Sequence, residues 1–268
     1  MTSQQENGLN QPTRSAADWP LAFPERAMPE RGTVWCWRVL VEQLPDDLLA
    51  KLAALLCRDE QERAMRFVRR ADRRSFTAAH GALRLLLAAA FGRRPREMRL
   101  AANRAGKPLL ADGSIEFNLS HGGEVVLVAL ASERPVGVDV ERLRPMPDRD
   151  AIIRRFLHRG EAADMAELSG VEADLAFFRC WTRKEAVTKA LGLGMSLPLE
   201  RYRVSCRPGM PAQLLALDGT GPPPAHWWMR DLEPAADHVG AIAVPAEQTA
   251  LVCRTLDPAI AMLAADAQ

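Results

Sequence analysis

Apolar positions along this chain change their period several times, and each change predicts an element. Residues 33–41 are dense in Val, Trp and Leu and predict a strand. Pro45, Asp46 and Asp47 then open a helix through Leu56, with Asp46 as its cap and Leu48, Leu52, Leu55 and Leu56 as its stripe. Residues 59–91 predict a long, broken helical segment whose buried side carries Ala78, Ala82, Leu85, Leu86 and Ala89. Gly106 and Pro108 bracket Lys107 in a turn. Residues 114–119 and 124–131 are apolar strands, and Ser120-His121-Gly122-Gly123 reads as their hairpin connection. Pro135 opens another strand over 136–141.

The pattern then starts over. Helices are predicted over 150–168 and 174–191, strands over 199–205, 227–232 and 239–244, and a Gly/Pro loop over 218–224. Each half offers helices plus an antiparallel set of strands, which makes the class α+β, although no repeat shows in the letters. Residues 1–31 are rich in Gln, Pro, Ala and Arg with little periodicity and predict a flexible N-terminal extension. The two halves are then 32–134 and 135–268.

Hydrophobic content of 48% supports a real core, and a formal charge of +1 gives no overall attraction to a polyanion. The charge is uneven, because basic residues outnumber acidic ones between Arg58 and Lys107. Only four of the 35 Lys and Arg residues are lysines, so a lysine here can signal a task that suits a compact ammonium, such as meeting a phosphate. Five scattered cysteines without C-x-x-C argue against disulfides or zinc and for a reducing, cytoplasmic setting. The early residues lack the apolar run of a signal peptide, and the longest greasy run, 83–91, contains Arg84 and is too short for a membrane span.

The candidate chemistry centres on residues 181–192. This stretch predicts a helix that stops at Gly192, and it puts Glu185 and Lys189 on one face with Thr182, Phe178 and Leu175. A surface ion pair would be worth only a few tenths of a kcal/mol. An acidic pair upstream changes the picture. In Gly137-Val138-Asp139-Val140-Glu141, the valines face a core, and Asp139 and Glu141 point outward together, about 6.6 Å apart. Such a pair suits Mg²⁺ with water and substrate phosphate, and Glu185 is a possible third oxygen donor. Ser120-His121 has no G-x-S-x-G elbow for a hydrolase, whereas a glycine-supported turn suits anion binding, with His121 donating to a phosphoryl oxygen. Lys107 could meet a terminal phosphate. No Walker A sequence occurs, and Gly192-Leu193-Gly194 ends a helix where a dinucleotide fingerprint would open one.

Taken together, five strings resemble the Sfp-type 4′-phosphopantetheinyl transferases. They are residues 137–141, residues 181–186 with Lys189, Phe117-Asn118-Leu119-Ser120-His121, Gly106-Lys107-Pro108, and Arg66-Phe67 with Asp72-Arg73. The resemblance covers about residues 34–244. It implies an enzyme that moves the phosphopantetheine arm of coenzyme A onto a serine of an acyl, peptidyl or aryl carrier protein and releases adenosine 3′,5′-bisphosphate. It implies two similar α+β halves packed as an intramolecular pseudo-dimer, for which a monomer suffices. On the matching positions, Asp139, Glu141 and Glu185 hold Mg²⁺, with Glu185 also the candidate base. Lys189 and His121 contact phosphoryl oxygens, Ser120 the nucleotide side, and Lys107 the 3′-phosphate with Arg63 nearby. Lys184 matches a further family lysine without an assigned role, and Glu60 departs where some relatives carry a basic residue. Two rivals stand beside this reading: a metal-dependent hydrolase of coenzyme A or a related pyrophosphate, and an Arg-rich nucleic-acid-binding module. A near-neutral charge and a single Tyr weigh against the latter.

Overall fold

Two helices of 22 residues, one against each of two sheets, set the layout of the chain. The computed structural model describes residues 19–23, 27–219, 221–259, 261 and 262. In chain order, β1 (Leu21–Ala22) and β2 (Thr33–Leu40) precede α1 (Asp46–Leu55), α2 (Arg58–Met65) and α3 (Arg70–Phe91). Next come β3 (Leu100–Ala102), β4 (Pro108–Leu110), β5 (Glu116–Gly122), β6 (Val125–Ala131) and β7 (Gly137–Arg142). The chain continues with α4 (Arg149–Phe156), α5 (Arg159–Met165) and α6 (Gly170–Leu191). It then runs through β8 (Tyr202–Val204), β9 (Leu214–Leu217), β10 (Trp228–Ala235), β11 (His238–Val244) and β12 (Ala250–Leu256).

One sheet has the order β1-β12-β2-β6-β5, the other β10-β11-β7, and β3–β4 and β8–β9 are two-stranded ribbons. The mixed α+β class read from the pattern is the one observed. The central strands are apolar without alternation because both of their faces are covered. On β6, Val126, Val128 and Leu130 join Leu52, Leu83 and Leu87 under α1 and α3, while Leu127 and Ala129 meet Val138, Val140 and Ile242 of the other sheet. On β11, Val239, Ala241 and Ala243 pack on Ala186, Val187 and Ala190 of α6. The layers therefore run helix, sheet, sheet, helix. Leu127 is fully buried between the sheets, and truncating such a side chain to Ala costs about 2–5 kcal/mol.

Several local expectations change. The helical segment does break, between Met65 and Arg70, but Asp46 does not cap α1. Its carboxylate is drawn away by two guanidiniums of α3, Arg70 Nη2 at 2.7 Å and Arg74 Nη1. The expected helix over 150–168 splits at Leu157 and His158, where His158 Nδ1 accepts from Gly160 N–H (3.0 Å) and starts α5. The strand expected over 199–205 shortens to β8, after a short 3-10 turn. Strands β9 and β12 had no clear pattern, and β12 runs parallel to β2 inside the first sheet. Residues 1–18 and 24–26 of the expected extension lie outside the described residues. Within that same segment, Trp19 is buried between the sheets and β1 pairs with β12. Among the described residues, no helix is long and apolar enough to cross a membrane.

Candidate active site

The site forms where the edges of the two sheets meet. Val138 N–H donates to the side chain of Asn118 (2.9 Å), and a Cβ on Gly122 would lie 2.4 Å from Val140 O. Strands β5 and β7 therefore abut closely. Helix α6 lies across β7 just as closely. A Cβ on Gly137 would fall 1.9 Å from Ala186 O, so glycine is required there for contact, independent of any turn. This corrects the expectation that Asp139 faces solvent: α6 covers that face, and Asp139 is buried. Ser120 and His121 are also relocated. They pair with Leu127 and Val126 inside the β5–β6 ladder, and the turn itself begins at Gly123, with φ of 55°.

From the last turn of α6, Lys189 Nζ donates to Asp139 Oδ1 (2.7 Å), Ser120 Oγ (2.9 Å) and Val138 O (3.3 Å). Ser120 Oγ donates in turn to Asp139 Oδ1 (2.8 Å), closing a triangle drawn from three elements. The other oxygen, Asp139 Oδ2, is buried and has no hydrogen-bond partner among the described residues. A buried carboxylate oxygen left this way is costly and points to a missing ligand.

The neighbouring groups feel one another. Burial, and then the Asp139 carboxylate, push the Glu185 carboxyl above its usual range; Lys189 opposes and Glu141 adds. Burial and Asp139 also push Glu141 up, against the Arg144 and Lys189 charges. His121 is pulled below its ordinary value by burial, Lys189 and His80, with Asp72 and Asp139 opposing. Even so, among the described residues no three His, Cys, Asp or Glu side chains stand close enough together to hold an ion. The three-carboxylate cage is not preassembled. Asp139 is turned to Lys189 and Ser120, and Glu141 to Arg144 Nη1 at 3.3 Å.

Lys107 borders the same edge. Its Nζ donates to Val136 O (3.2 Å), two residues before the carbonyl that takes Lys189. Burial pulls its ammonium below the usual value, with Glu116 opposing. Asn103, which the sequence did not single out, holds this loop. Its Oδ1 accepts from the N–H groups of Ala105 and Lys107 (both 2.9 Å), and its Nδ2 donates to Gly192 O at the end of α6 (2.9 Å). Arg63 is more remote. It is exposed on α2, with its guanidinium over the Phe76 ring at 5.4 Å, and Phe76 stacks on His80 at 4.1 Å.

Sequence reasoning also missed two buried clusters. Lys184, left without a role, is fully buried: its Nζ donates to Glu161 Oε1 (2.7 Å) and Tyr202 O (2.6 Å). Glu60 is turned inward, where Oε1 meets His80 Nδ1 (2.9 Å) and Oε2 takes Arg84 Nη2 (2.8 Å). Burial pushes its carboxyl up, but His80, the Cys57 N–H and Arg84 outweigh this and hold it at about 2. The acid at position 60 is thus neutralised within the fold.

Comparison with known families agrees with the motif reading. Residues 135–243 match the family described as 4′-phosphopantetheinyl transferase superfamily, and residues 44–134 match 4′-phosphopantetheinyl transferase, N-terminal. The 4′-phosphopantetheinyl transferase HetI of Nostoc sp. is 37% identical over 215 residues, 79% of this chain and 87% of the relative. The chain belongs to the 4′-phosphopantetheinyl transferase superfamily. Two Bacillus subtilis transferases, ffp and Sfp, are 29% and 28% identical over 168 and 147 residues. These spans cover 62% and 54% of this chain and 72% and 64% of the relatives. The two family matches of this transferase meet at residues 134 and 135, between β6 and β7. Arg63, Lys107, Ser120 and His121 fall in the first match, and Asp139, Glu141, Glu185 and Lys189 in the second. The Lys189–Ser120–Asp139 triangle of the transferase therefore bridges both matched segments.

Proposed function

We propose that this enzyme transfers the 4′-phosphopantetheine arm of coenzyme A to a serine of an apo carrier protein, with Mg²⁺, releasing adenosine 3′,5′-bisphosphate. The observation that carries the reading is the unpartnered Asp139 Oδ2 beside Lys189, with Glu141 and Glu185 within each other's fields. An all-oxygen acidic donor set fits a hard divalent cation, so Asp139, Glu141 and Glu185 would hold Mg²⁺. When bound, that ion neutralises charge on the coenzyme A pyrophosphate.

The chain's own residues supply the rest. The carrier serine oxygen attacks the β-phosphorus, the bond from that phosphorus to the bridging oxygen breaks, and adenosine bisphosphate leaves. Such transfer needs positioning and charge stabilisation above all. Lys189, at the edge where the sheets meet, offers an ammonium to the developing charge. His121, pulled toward its neutral form, donates one N–H to a phosphoryl oxygen. Glu185 is the candidate group to take the serine proton; burial and Asp139 raise its carboxyl in the ion-free site, a rise that a bound cation would oppose. Lys107, held by Asn103, lies where it can meet the 3′-phosphate, and Arg63 extends the basic rim. Ser120 acts by positioning Asp139 and Lys189.

We read the two halves as an intramolecular pseudo-dimer with coenzyme A between them. Each half lays a 22-residue helix, ended by a left-handed glycine, on its sheet. Among the described residues no disulfide joins the five cysteines, which suits a reducing cytoplasm. The test is intact-mass spectrometry of apo acyl, peptidyl and aryl carriers after incubation with coenzyme A and Mg²⁺. The expected result is a phosphopantetheine adduct on the carrier serine. Adenosine bisphosphate released equally well without a carrier would mean hydrolysis in place of transfer.

A further inference from the structure

Each of the two backbone carbonyls that follow His121 is taken by a buried side chain from a distant element. Gly122 O accepts from His238 Nε2 (3.0 Å), which reaches across from the start of β11. Gly123 O accepts from Ser75 Oγ (2.9 Å), in the second turn of α3. His238 and Ser75 are only 4% and 3% exposed. A hairpin tip ordinarily leaves such groups to water. Here the turn is also wedged, because a Cβ on Gly122 would lie 2.4 Å from Val140 O and one on Gly123 2.9 Å from His238 Nε2.

His238 is itself braced. Its Nδ1 donates to Asp237 Oδ1 (2.7 Å), and the other oxygen of Asp237 takes Arg142 Nε (2.9 Å). Arg142 Nη1 in turn reaches Glu124 Oε2 (3.3 Å), just past the same turn. Both partners of the ring are acceptors, so each of its nitrogens donates. In the β11–β7 ladder His238 stands opposite Arg142, and Val239 opposite Glu141. The bridge therefore crosses from the second half of the chain to the first beside a carboxylate of the site.

His121 depends on such support. It is half-buried, and among the described residues no hydrogen bond holds its ring. Its place is set by the strand end that carries it, and the clamped turn begins one residue on. We propose that His238 and Ser75 are positioning residues for the transfer. Gripping Gly122 and Gly123 from opposite halves, they hold His121 at the phosphoryl oxygen to which it donates. This rests on the role given to His121 above and adds what keeps it in place.

The experiment is a double-mutant cycle on kcat/KM for coenzyme A, with Mg²⁺ and a saturating apo acyl carrier protein. His238→Phe keeps a buried ring and removes the donor. His238→Gln keeps a donor that reaches Gly122 O, and Ser75→Ala removes the bond on the other side. Each is made in wild type and in His121→Ala. His238→Phe is expected to lower kcat/KM about 10–100-fold, the effect of displacing a group at the reaction centre by about 1 Å. His238→Gln returns it to within about threefold of wild type, and Ser75→Ala, on the exposed side of the turn, costs about two- to fivefold. In His121→Ala all three cost less than about twofold, because the ring they place is gone. A merely structural contribution would multiply with the His121 loss instead. Thermal melts fix a temperature at which every variant is folded; should His238→Phe fold at none, the Ser75→Ala cycle decides. Undiminished losses in the His121→Ala background overturn the positioning role, as do wild-type kcat/KM in both His238→Phe and Ser75→Ala, or a Gln variant as impaired as the Phe variant. The transfer function stands in each of those cases. Wild-type turnover in His121→Ala overturns the role of His121 and the positioning with it, and wild type that modifies no carrier overturns the function itself.

Discussion

Lys184 and Lys189 lie five residues apart on α6, and each donates to a carboxylate at 2.7 Å. Their surroundings differ. Lys184 and Glu161 are both 0% exposed, and every polar end has a partner: Glu161 Oε1 also takes Val204 N–H (2.7 Å), and Oε2 takes His158 N–H (2.9 Å). The Lys184 ammonium further lies 4.1 Å from the centre of the Tyr202 ring. Lys189 is 26% exposed, and the carboxylate it meets keeps one buried oxygen without a partner. An ion pair of the same length can therefore be structural or part of a site. What separates them is whether hydrogen bonding is complete, since a closed network resists change and an open one invites a ligand.

The sharpest way to break this distinction is to remove each lysine in turn. Lys184→Ala leaves Glu161 charged and buried, and should cost about 3–5 kcal/mol of stability. Lys189→Ala should cost less, about 1–3 kcal/mol: Asp139 is buried and loses its cation, but water can enter where the partly exposed lysine stood. Chemical denaturation of both variants measures the difference. Equal costs would show that completeness of bonding does not distinguish the two pairs.

Glu185→Gln tests the open side. Turnover should fall at least about 100-fold with coenzyme A binding largely kept, as expected when a general base is lost. Stability should hold or rise, because the burial of charge and the repulsion from Asp139 that push Glu185 up are both relieved. Rapid-quench turnover beside a thermal melt reads both, and normal turnover removes Glu185 from the mechanism. A smaller effect concerns the ion. On the proposed function, saturating Mg²⁺ should stabilise wild type by about 1–3 kcal/mol, and chelation should reverse this and stop turnover. Asp139→Asn should show no such stabilisation; a shift as large as wild type would place the ion elsewhere.

Motif spacing made the members of this site legible, but not their setting. Period-2 alternation correctly put Asp139 and Glu141 opposite Val138 and Val140. It could not show that α6 would cover the Asp139 face, because that depends on Gly137 admitting a helix to contact distance. Ser120 and His121 were recognised, yet assigned to the turn, whereas β5 runs three residues further than expected, to Gly122; the two glycines made the turn look longer than it is. β12 escaped notice because its parallel pairing with β2 joins chain ends more than 200 residues apart, which no local pattern records. Lys184 and Glu60 carried motif positions but no visible partner, as Glu161 and His80 come from other helices. Composition and period report which surfaces are buried, and long-range polar pairing has to be seen.

Glu60 extends the closed class to the first half and gives the smallest effect, a pH dependence. Oε1 meets His80 Nδ1 (2.9 Å), and Oε2 accepts from Arg84 Nη2 (2.8 Å) and from Cys57 N–H (2.9 Å). The carboxyl is held at about 2, against 4.5 for a free glutamate. A folded-state value below the unfolded one means that the native state favours the charged form. Its stabilisation is complete above about pH 4.5 and is lost as pH falls toward 2. Between about pH 5 and pH 3, wild type should therefore lose about 1–2 kcal/mol more than Glu60→Gln, allowing for partial solvent screening. The variant is less stable at neutral pH, because Arg84 loses a charged partner, so the slope against pH is the quantity to compare. Urea denaturation at stepped pH gives it. Parallel slopes for the two proteins would mean that Glu60 is as open to solvent as an ordinary surface acid, and the closed network assigned to it would be wrong.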